Sequence, residues 1–401
     1  MYELIPAVLW GDLNLLRSLG RAGIPVVVVS ANPSDITFRS RHCWKGRVIA
    51  DLATDPDVAV SDLVELGETF PDKPALFYGD DQMLLLISRN RDVLSRYYRF
   101  LMPGADLVED LVDKARFTRL AEDLGLPIPR TITSRRTSTA REVAERLGFP
   151  CIIKPNLRSG WFRSKVVLKE GGKPQKAFRA DNLSELIRLC DQVREFTDDF
   201  VIQEYIPGRD DCIYSFHGYF GRGAELLACY IGRKIRTYPK DRGVSTYLEL
   251  VKEPGLIKLG LEIISKLGIV GPVKIDFKKD AVRGRYYLLE INARFNLWNY
   301  LGAACGVNLP ATAYNYLLGR SCEPQGDYRT STRWLSLGND LRAFLRDYHK
   351  DGDLSLVDLI RSYRGPKIYD VFSWDDPLPF LSNLVSYSKA LCRRGLKFIF
   401  V

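Results

Sequence analysis

Two runs past the middle of the chain restrict its fold more than any others: PVKIDFKKD (272–280) and RYYLLEINARFN (285–296). Both read as strands, and KDAVRGR between them reads as a hairpin connection. In the second run Glu290, Asn292 and Arg294 alternate with Leu289, Ile291, Ala293 and Phe295. The alternation predicts one polar and one apolar face. Asp276 lies fourteen positions before Glu290, so paired strands would offer Asp276, Glu290 and Asn292 on one surface. Carboxylate and amide oxygens in that pattern suit magnesium, which takes hard oxygen ligands and completes its shell with phosphates and water. Arg294 would hold a phosphate or carboxylate beside it. Antiparallel strands often have a wet face, so the fragment alone also fits a solvated hairpin.

The chain has 401 residues, which implies two or three domains. Hydrophobic residues make up 46% and charged residues 27%, the balance of a globular protein. No apolar run reaches the ~18 residues of a membrane span. The start, MYELIPAVLWGDLN, does not read as a signal peptide, so a cytoplasmic protein is expected. Eight cysteines occur without a CxxC, which predicts reduced core thiols rather than zinc or disulfides. The net charge of +9 suits an anionic ligand. It recurs in loops, RSGWFRSK (158–165) and GRKIRTYPKDR (232–242), and favours phosphate handling over a nucleic-acid stripe.

The first 110 residues alternate strand and helix patterns, implying an open α/β domain with a parallel sheet. Within it, KPALFYGDD ends a strand at Asp80 and Asp81. Ligands of such sheets sit at the carboxyl ends of strands, so both are candidate substrate contacts; a helix cap is the alternative. No GxGxxG is present, which argues against a dinucleotide there. An α+β region of roughly two hundred residues follows. LVDKARFTRLAEDLG, TAREVAERLG, NLSELIRLCDQV and PGLIKLGLEIISKLGI read as helices. FPCIIKP, DFVIQEYIPG, DCIYSFHGYF and ELLACYIGRKI read as strands. The last eighty residues read as helical, with an aromatic segment, YDVFSWDDPLPFL (369–381).

From about Val112 to Gly319 the ordered motifs DK (113–114), CIIKP, VIQEYIPG, IDF and LEINARFN resemble an ATP-grasp domain. The type is the carboxylate–amine ligase group, related to the carbamoyl-phosphate synthetase domain. The resemblance implies an ATP-grasp fold, α/β and α+β: a pre-ATP-grasp domain at 1–111, the ATP-grasp domain at 112–319 with a mobile lid about 148–205, and a small C-terminal extension at 320–401. It implies ATP contacts from Lys114, Lys154, Glu204, Tyr205, Ile206 and Asp211. Metal ligands would be Asp276, Glu290 and Asn292, holding Mg2+ or Mn2+. Lys234, Arg236 and Arg294 would stabilise the transferring phosphoryl group, with Arg242 a weaker candidate. Asn296, Trp298 and Asn299 follow the metal motif and are candidates for reading substrate; packing into the core is the alternative. His217 is expected to be structural. The chain departs from the family at NLRSGWFRSK, where a glycine-rich lid is usual. Only Gly160 lies there, and Arg158, Arg163 and Lys165 would substitute side-chain charge for backbone donors.

The implied reaction is ATP-dependent acyl activation through an acylphosphate, followed by amine attack. Substrates would be a carboxylate and an amine, small or cell-envelope precursors, and a homodimer is the implied assembly. The alternatives are a bicarbonate-activating synthetase and a non-catalytic ATP-binding regulator. No nucleic-acid partner is expected, since no aromatic-basic module is visible. The basic, apolar end SKALCRRGLKFIFV is expected to pack as a helix or strand, with weak peripheral membrane contact as the alternative.

Overall fold

The computed structural model describes residues 5–134, 139–156, 177–195, 197–241 and 243–393, with side chains through 385. Four strands come first: β1 (Ala7–Trp10), β2 (Val26–Ser30), β3 (Cys43–Val48) and β4 (Ala75–Phe77). They form one sheet in the order β3-β2-β1-β4 with every pair parallel. Val26 to Val29 are all buried, as a strand covered on both faces requires. Helix Leu13–Gly20 joins β1 to β2, the 3-10 turn Ile36–Arg39 lies between β2 and β3, helix Pro56–Glu68 joins β3 to β4, and helix Asp81–Arg89 follows β4. The DQMLLLISRNRDVLSRYY pattern is split at Asn90, which caps one short helix and precedes another. The LVDKARF stretch is likewise two helices, because Asp113 turns extended and its carboxylate caps Arg116 N–H at 2.8 Å.

A second sheet holds β5 (Thr131–Thr133), β6 (Cys151–Pro155), β7 (Phe178–Ala180) and β8 (Phe200–Glu204), in the order β5-β8-β6-β7. Its pairs are all antiparallel. Helices Ala140–Leu147 and Leu183–Arg194 cover it. Together they enclose a hydrophobic cluster of their own, including Ile132, Val143, Ile153, Leu186 and Phe200. The loop NLRSGWFRSK, where the sequence departs from a glycine-rich lid, lies outside the described residues apart from Asn156.

The third sheet has seven strands. In chain order they are β9 (Ile213–Phe220), β10 (Leu226–Tyr238), β11 (Val244–Val251), β12 (Gly271–Lys279), β13 (Tyr286–Asn292), β14 (Arg333–Leu335) and β15 (Lys367–Tyr369). Their spatial order is β13-β12-β9-β10-β11-β14-β15. Its apolar residues share two large clusters with the first sheet. One contains Val27, Phe216 and Ile275, the other Leu9, Tyr230 and Leu301. First and third sheets therefore form one packed body, while the second packs separately. The seven cysteines with described side chains are free; Cys151, Cys190, Cys229 and Cys305 are buried, and Cys43, Cys212 and Cys322 are half-buried.

The last eighty residues are not simply helical. They return to the third sheet as β14 and β15, a parallel pair at its edge. The run RWL is too short to announce a strand by alternation. The chain then closes on the first sheet. Arg17, fully buried in helix Leu13–Gly20, donates from Nε to Asp376 Oδ2 at 3.0 Å and from Nη2 to the Val371 carbonyl at 2.7 Å. Ser40 Oγ and Arg41 N–H donate to the same carboxylate at 2.8 and 2.9 Å. Every bond matters here, because a buried ion pair needs its remaining lone pairs satisfied.

Asp376→Ala leaves a buried guanidinium without its counter-ion, so urea unfolding should show a loss of about 3–5 kcal/mol. Arg17→Met combined with Asp376→Leu should lose much less, since neither charge is stranded. Equal losses in the single and double variants would mean that the clasp acts through packing alone.

Candidate functional site

Between the second and third sheets lies a cleft of about 420 Å³. Lys114, Lys154, Glu204, Tyr205, Ile206, Lys234, Asp276 and Glu290 all line it. The hairpin of β12 and β13 supplies its floor. Their register pairs Lys274 with Asn292 and Asp276 with Glu290, so the two carboxylates stand on neighbouring strands as the alternation predicts. One step further the register slips, and Phe277 pairs with Leu288. This bulge turns Leu289 into the cleft beside Glu290, while Leu288 enters the core. The apolar face read for Leu289 is thus corrected: an extra residue reverses the alternation locally.

Two acids at one spot need compensation. Asp276 accepts from Ser215 Oγ, opposite it on β9, and pairs with Lys274 Nζ at 2.7 Å. Glu290 Oε1 lies 3.4 Å from Asn292 Nδ2. Lys234 enters from β10; burial pulls its pKa down, and the neighbouring Asp276 carboxylate pushes it back up. Lys278, two residues along β12, also lines the cleft. Its ammonium binds the Gly208 and Arg209 carbonyls at 2.7 and 2.8 Å, and burial lowers its pKa as well.

Arg294 lies beyond the end of β13 at Asn292, not on the strand. The chain bends, yet the guanidinium returns to the same place. It donates to Asp81 at 2.5 Å, to Asn292 Oδ1 at 3.0 Å and to the Gly79 carbonyl at 3.2 Å. Asp81 is thereby brought from the first sheet to the polar hairpin. Asp80 is not: its carboxylate caps helix Asp81–Arg89 through Met83 N–H at 2.8 Å, the capping alternative.

Lys114 begins helix Lys114–Asp123, and its Nζ bonds the Asn156 carbonyl at 3.1 Å. Asn156 is buried and ties that helix start to the end of β6, with its Nδ2 donating to Asp113 and Asp199 at 2.8 and 3.0 Å. Lys154 Nζ rests on Gln203 Oε1 at 2.7 Å. The Glu204 carboxylate is engaged by Arg130, whose Nε lies 2.7 Å away. Tyr205 carries the Arg179 guanidinium over its ring at 4.7 Å. Arg179, Asp181, Gln203 and Asp241 are further cleft residues that motif reading missed. Lys274 and Lys278 were legible in principle, because they share the alternation of Asp276.

The other named residues lie away from the lining of the cleft. Asp211 is exposed and lines an adjoining hollow of about 580 Å³ that shares Asp241 with the cleft. A short 3-10 turn at Asp210–Cys212 directs it there. Arg236 lines the same hollow: a register shift in β10 after Lys234 sends it to the other side. There it is buried against Asp340 at 2.7 Å and stacks over Tyr247 at 4.8 Å. Asn296 and Trp298 are buried. Asn296 Oδ1 accepts from Trp298 N–H at 3.1 Å, and Trp298 packs against His217 and under Lys274 Nζ, which is the core-packing alternative. Asn299 is buried too and bonds Tyr230 at 3.3 Å. His217 is stacked on Tyr230 at 4.7 Å, and burial lowers its pKa well below the ordinary value. Arg242 lies outside the described residues.

Hard oxygen donors without a soft ligand fit magnesium. Among the described residues no group of three or more His, Cys, Asp or Glu side chains is placed to hold a metal. The protein thus offers a partial shell, the kind that phosphate oxygens and water complete.

Residues 197–336 match a family model described as ATP-grasp in the biosynthetic pathway with Ter operon. A D-aspartate ligase of Enterococcus faecium is 26% identical over 326 residues, covering 77% of this chain and 75% of that protein. The carbamoyl phosphate synthase large chain of Gemmatimonas aurantiaca is 22% identical over 317 residues. That match covers 78% of this chain and only 27% of the large chain. Among solved structures, N5-carboxyaminoimidazole synthetase from Staphylococcus aureus complexed with ADP aligns with a TM-score of 0.63 at 14% identity. The alignment covers 87% of this chain and 86% of the synthetase, so the two share a fold.

Arg236→Ala should strand Asp340 in the core and lower stability by about 3–5 kcal/mol in denaturant unfolding, with nucleotide affinity unchanged. A stable variant with weakened nucleotide binding would return Arg236 to the cleft.

Proposed function

We propose that this chain, a member of the ATP-grasp superfamily, is an ATP-dependent ligase that joins a carboxylate to an amine. One observation carries the reading: Asp276 faces Glu290 on the floor of a cleft lined by Lys114, Lys154 and Lys234. Paired acids call for a cation, and three lysines call for phosphates.

ATP lies in the cleft with its base near Tyr205 and Ile206, and Lys114 and Lys154 on its phosphates. Lysines act there as point charges that follow a moving group. Asp276, Glu290 and Asn292 would hold magnesium, which would supply charge neutralisation to the phosphates; Lys274 neutralises Asp276 when no divalent ion is bound. The substrate carboxylate oxygen attacks the γ-phosphorus; the bond to the bridging oxygen breaks and its electron pair leaves with ADP. Arg294, fixed by Asp81 and Asn292, faces the transferred phosphoryl group and needs no reorganisation to stabilise it. An amine then attacks the acyl carbon, phosphate leaves with the C–O electron pair, and a proton is released. Positioning and charge do the catalysis, as phosphoryl transfer requires. The likeness to a D-aspartate ligase favours an amino acid as the acid.

Glu290→Gln should slow ADP formation by about 10²-fold with ordinary thermal unfolding, in an assay supplying pooled amino acids, Mg2+ and ATP. An unchanged rate with unchanged magnesium dependence would refute the site. The Lys234 ammonium loses its proton at lower pH than a surface lysine, because burial lowers its pKa. Nucleotide affinity should therefore fall as pH rises through that lowered value. Lys234→Arg, charged to above pH ~12, should move the alkaline loss upward. An alkaline limb that does not move would exclude Lys234 from phosphate binding.

A further inference from the structure

On the reading of the cleft as a nucleotide site, we propose that Asp241 is its sugar-reading residue. Its carboxylate accepts both ribose hydroxyls and selects a ribonucleotide over a nucleotide that lacks them. The two ends of the cleft are defined by other residues. Tyr205 and Ile206 line one end, and the facing carboxylates of Asp276 and Glu290 line the other. Lys278 stands between them. It lies two residues from Asp276 on β12, one same-face step of about 6.7 Å along a strand. Its ammonium is tied to the Gly208 and Arg209 carbonyls, just past Ile206. Lys278 therefore marks the stretch between base and phosphates, where the sugar must pass.

Asp241 lines the cleft beside that stretch, and its charge reaches both neighbours. Burial lowers the Lys278 pKa, and the Asp210 and Asp241 carboxylates push it back. Burial raises that of Tyr205; Arg179 opposes the rise and Asp241 adds to it. The other acids near this end are placed elsewhere. Asp211 lines the adjoining hollow and not the cleft. Asp210 accepts from Thr237 and Tyr348 in the interior. Glu204 is held by Arg130, and Asp181 by Arg179 at 2.6 Å. Two vicinal hydroxyls are donors side by side, and a carboxylate offers two acceptor oxygens. The same pairing of acid and ribose serves dinucleotide folds.

The backbone supports the assignment independently. Asp241 sits at φ 64°, a conformation that persists in a non-glycine residue where the surroundings impose it. Here they do. The Asp241 N–H donates to Asp210 at 3.4 Å, and Lys240 before it is held by Asp347, Asp351 and Asp353. Gly243, two residues on, packs so closely that a Cβ there would lie 2.0 Å from the Tyr238 backbone. The turn is thus clamped on both sides of the acid it presents. Glycine would meet the backbone demand at position 241 with less strain, so the carboxylate, not the turn, calls for Asp.

The test is titration calorimetry of the full chain with magnesium-ADP and with its dideoxy analogue, which lacks both ribose hydroxyls. Neither ligand has a γ-phosphate to transfer. The unaltered chain should bind ADP tighter by about tenfold or more, as hydrogen bonds to a charged group imply. Asp241→Gly keeps the turn, since glycine adopts that φ without strain, and removes the carboxylate. It should bind ADP about tenfold more weakly, leave the affinity for the analogue unchanged and so abolish the preference. Asp241→Asn, which keeps one acceptor oxygen, should fall between. Asp211→Ala should keep the full preference. A preference that survives Asp241→Gly, or that Asp211→Ala removes, overturns the assignment. Equal weakening of both ligands by Asp241→Gly also overturns it and makes Asp241 a part of the turn alone. An unaltered chain that binds both ligands alike refutes the sugar contact while the cleft stays a nucleotide site. One that binds neither refutes the nucleotide reading, and the assignment with it.

Discussion

The pairing of Asp276 with Glu290 across β12 and β13 sets the charge problem that the surrounding structure answers. Two carboxylates on adjacent strands repel each other, and partial burial strengthens the repulsion by lowering the local dielectric. Each neighbouring element brings a compensating group. β12 itself contributes Lys274, β9 contributes the Ser215 hydroxyl, and β10 contributes Lys234. The bend after β13 contributes Arg294, whose charge is then met by Asp81 from the first sheet. Five separate segments converge because one hairpin register requires them to. Arg294 thereby joins the start of helix Asp81–Arg89 to the end of β13.

The division of the hydrophobic core has a consequence for the cleft. The second sheet encloses its own cluster, while the first and third share two. Its links to the main body near the cleft are polar: Asn156 reaching to Asp113 and Ala115, and Lys278 reaching to the carbonyls of Gly208 and Arg209. Polar links of this kind can exchange with water at little cost, whereas separating a shared apolar core would expose it at ~25 cal/mol per Å².

How much of this was legible follows from what alternation can and cannot encode. The parallel first sheet was readable from IPVVVVSA, because four buried valines in a row fit only a strand covered on both faces. The facing of Asp276 and Glu290 was readable because side-chain period and hairpin turn fix it together. Leu289 and Arg236 were misassigned for one shared reason. Each follows a register shift, and a single extra residue reverses every later prediction of face. Asp211 failed differently: in RDDC either acid could turn inward, and the 3-10 turn buries Asp210 on Thr237 instead. β11 was missed, and β14 and β15 could not be found, because three-residue strands are defined by the partner they meet. Their signal lies in tertiary contact and is absent from local sequence.

The C-terminal eighty residues illustrate the last point in the opposite direction, since they shape a cleft they do not line. Asp241, at φ 64°, lines the cleft from the loop between β10 and β11. A non-glycine residue in that conformation needs support from its surroundings. Its backbone N–H lies 3.4 Å from the Asp210 carboxylate, which also accepts from Tyr348. The adjacent Lys240 is held through its N–H by Asp347 at 2.9 Å and through its ammonium by Asp351 at 2.7 Å and by Asp353. All four supporting groups on that side, Asp347, Tyr348, Asp351 and Asp353, come from one C-terminal stretch. The rim of the cleft is consequently set by residues more than a hundred positions further along the chain. A reading confined to the motif-bearing segment would describe the floor of the site correctly and leave its rim without a cause.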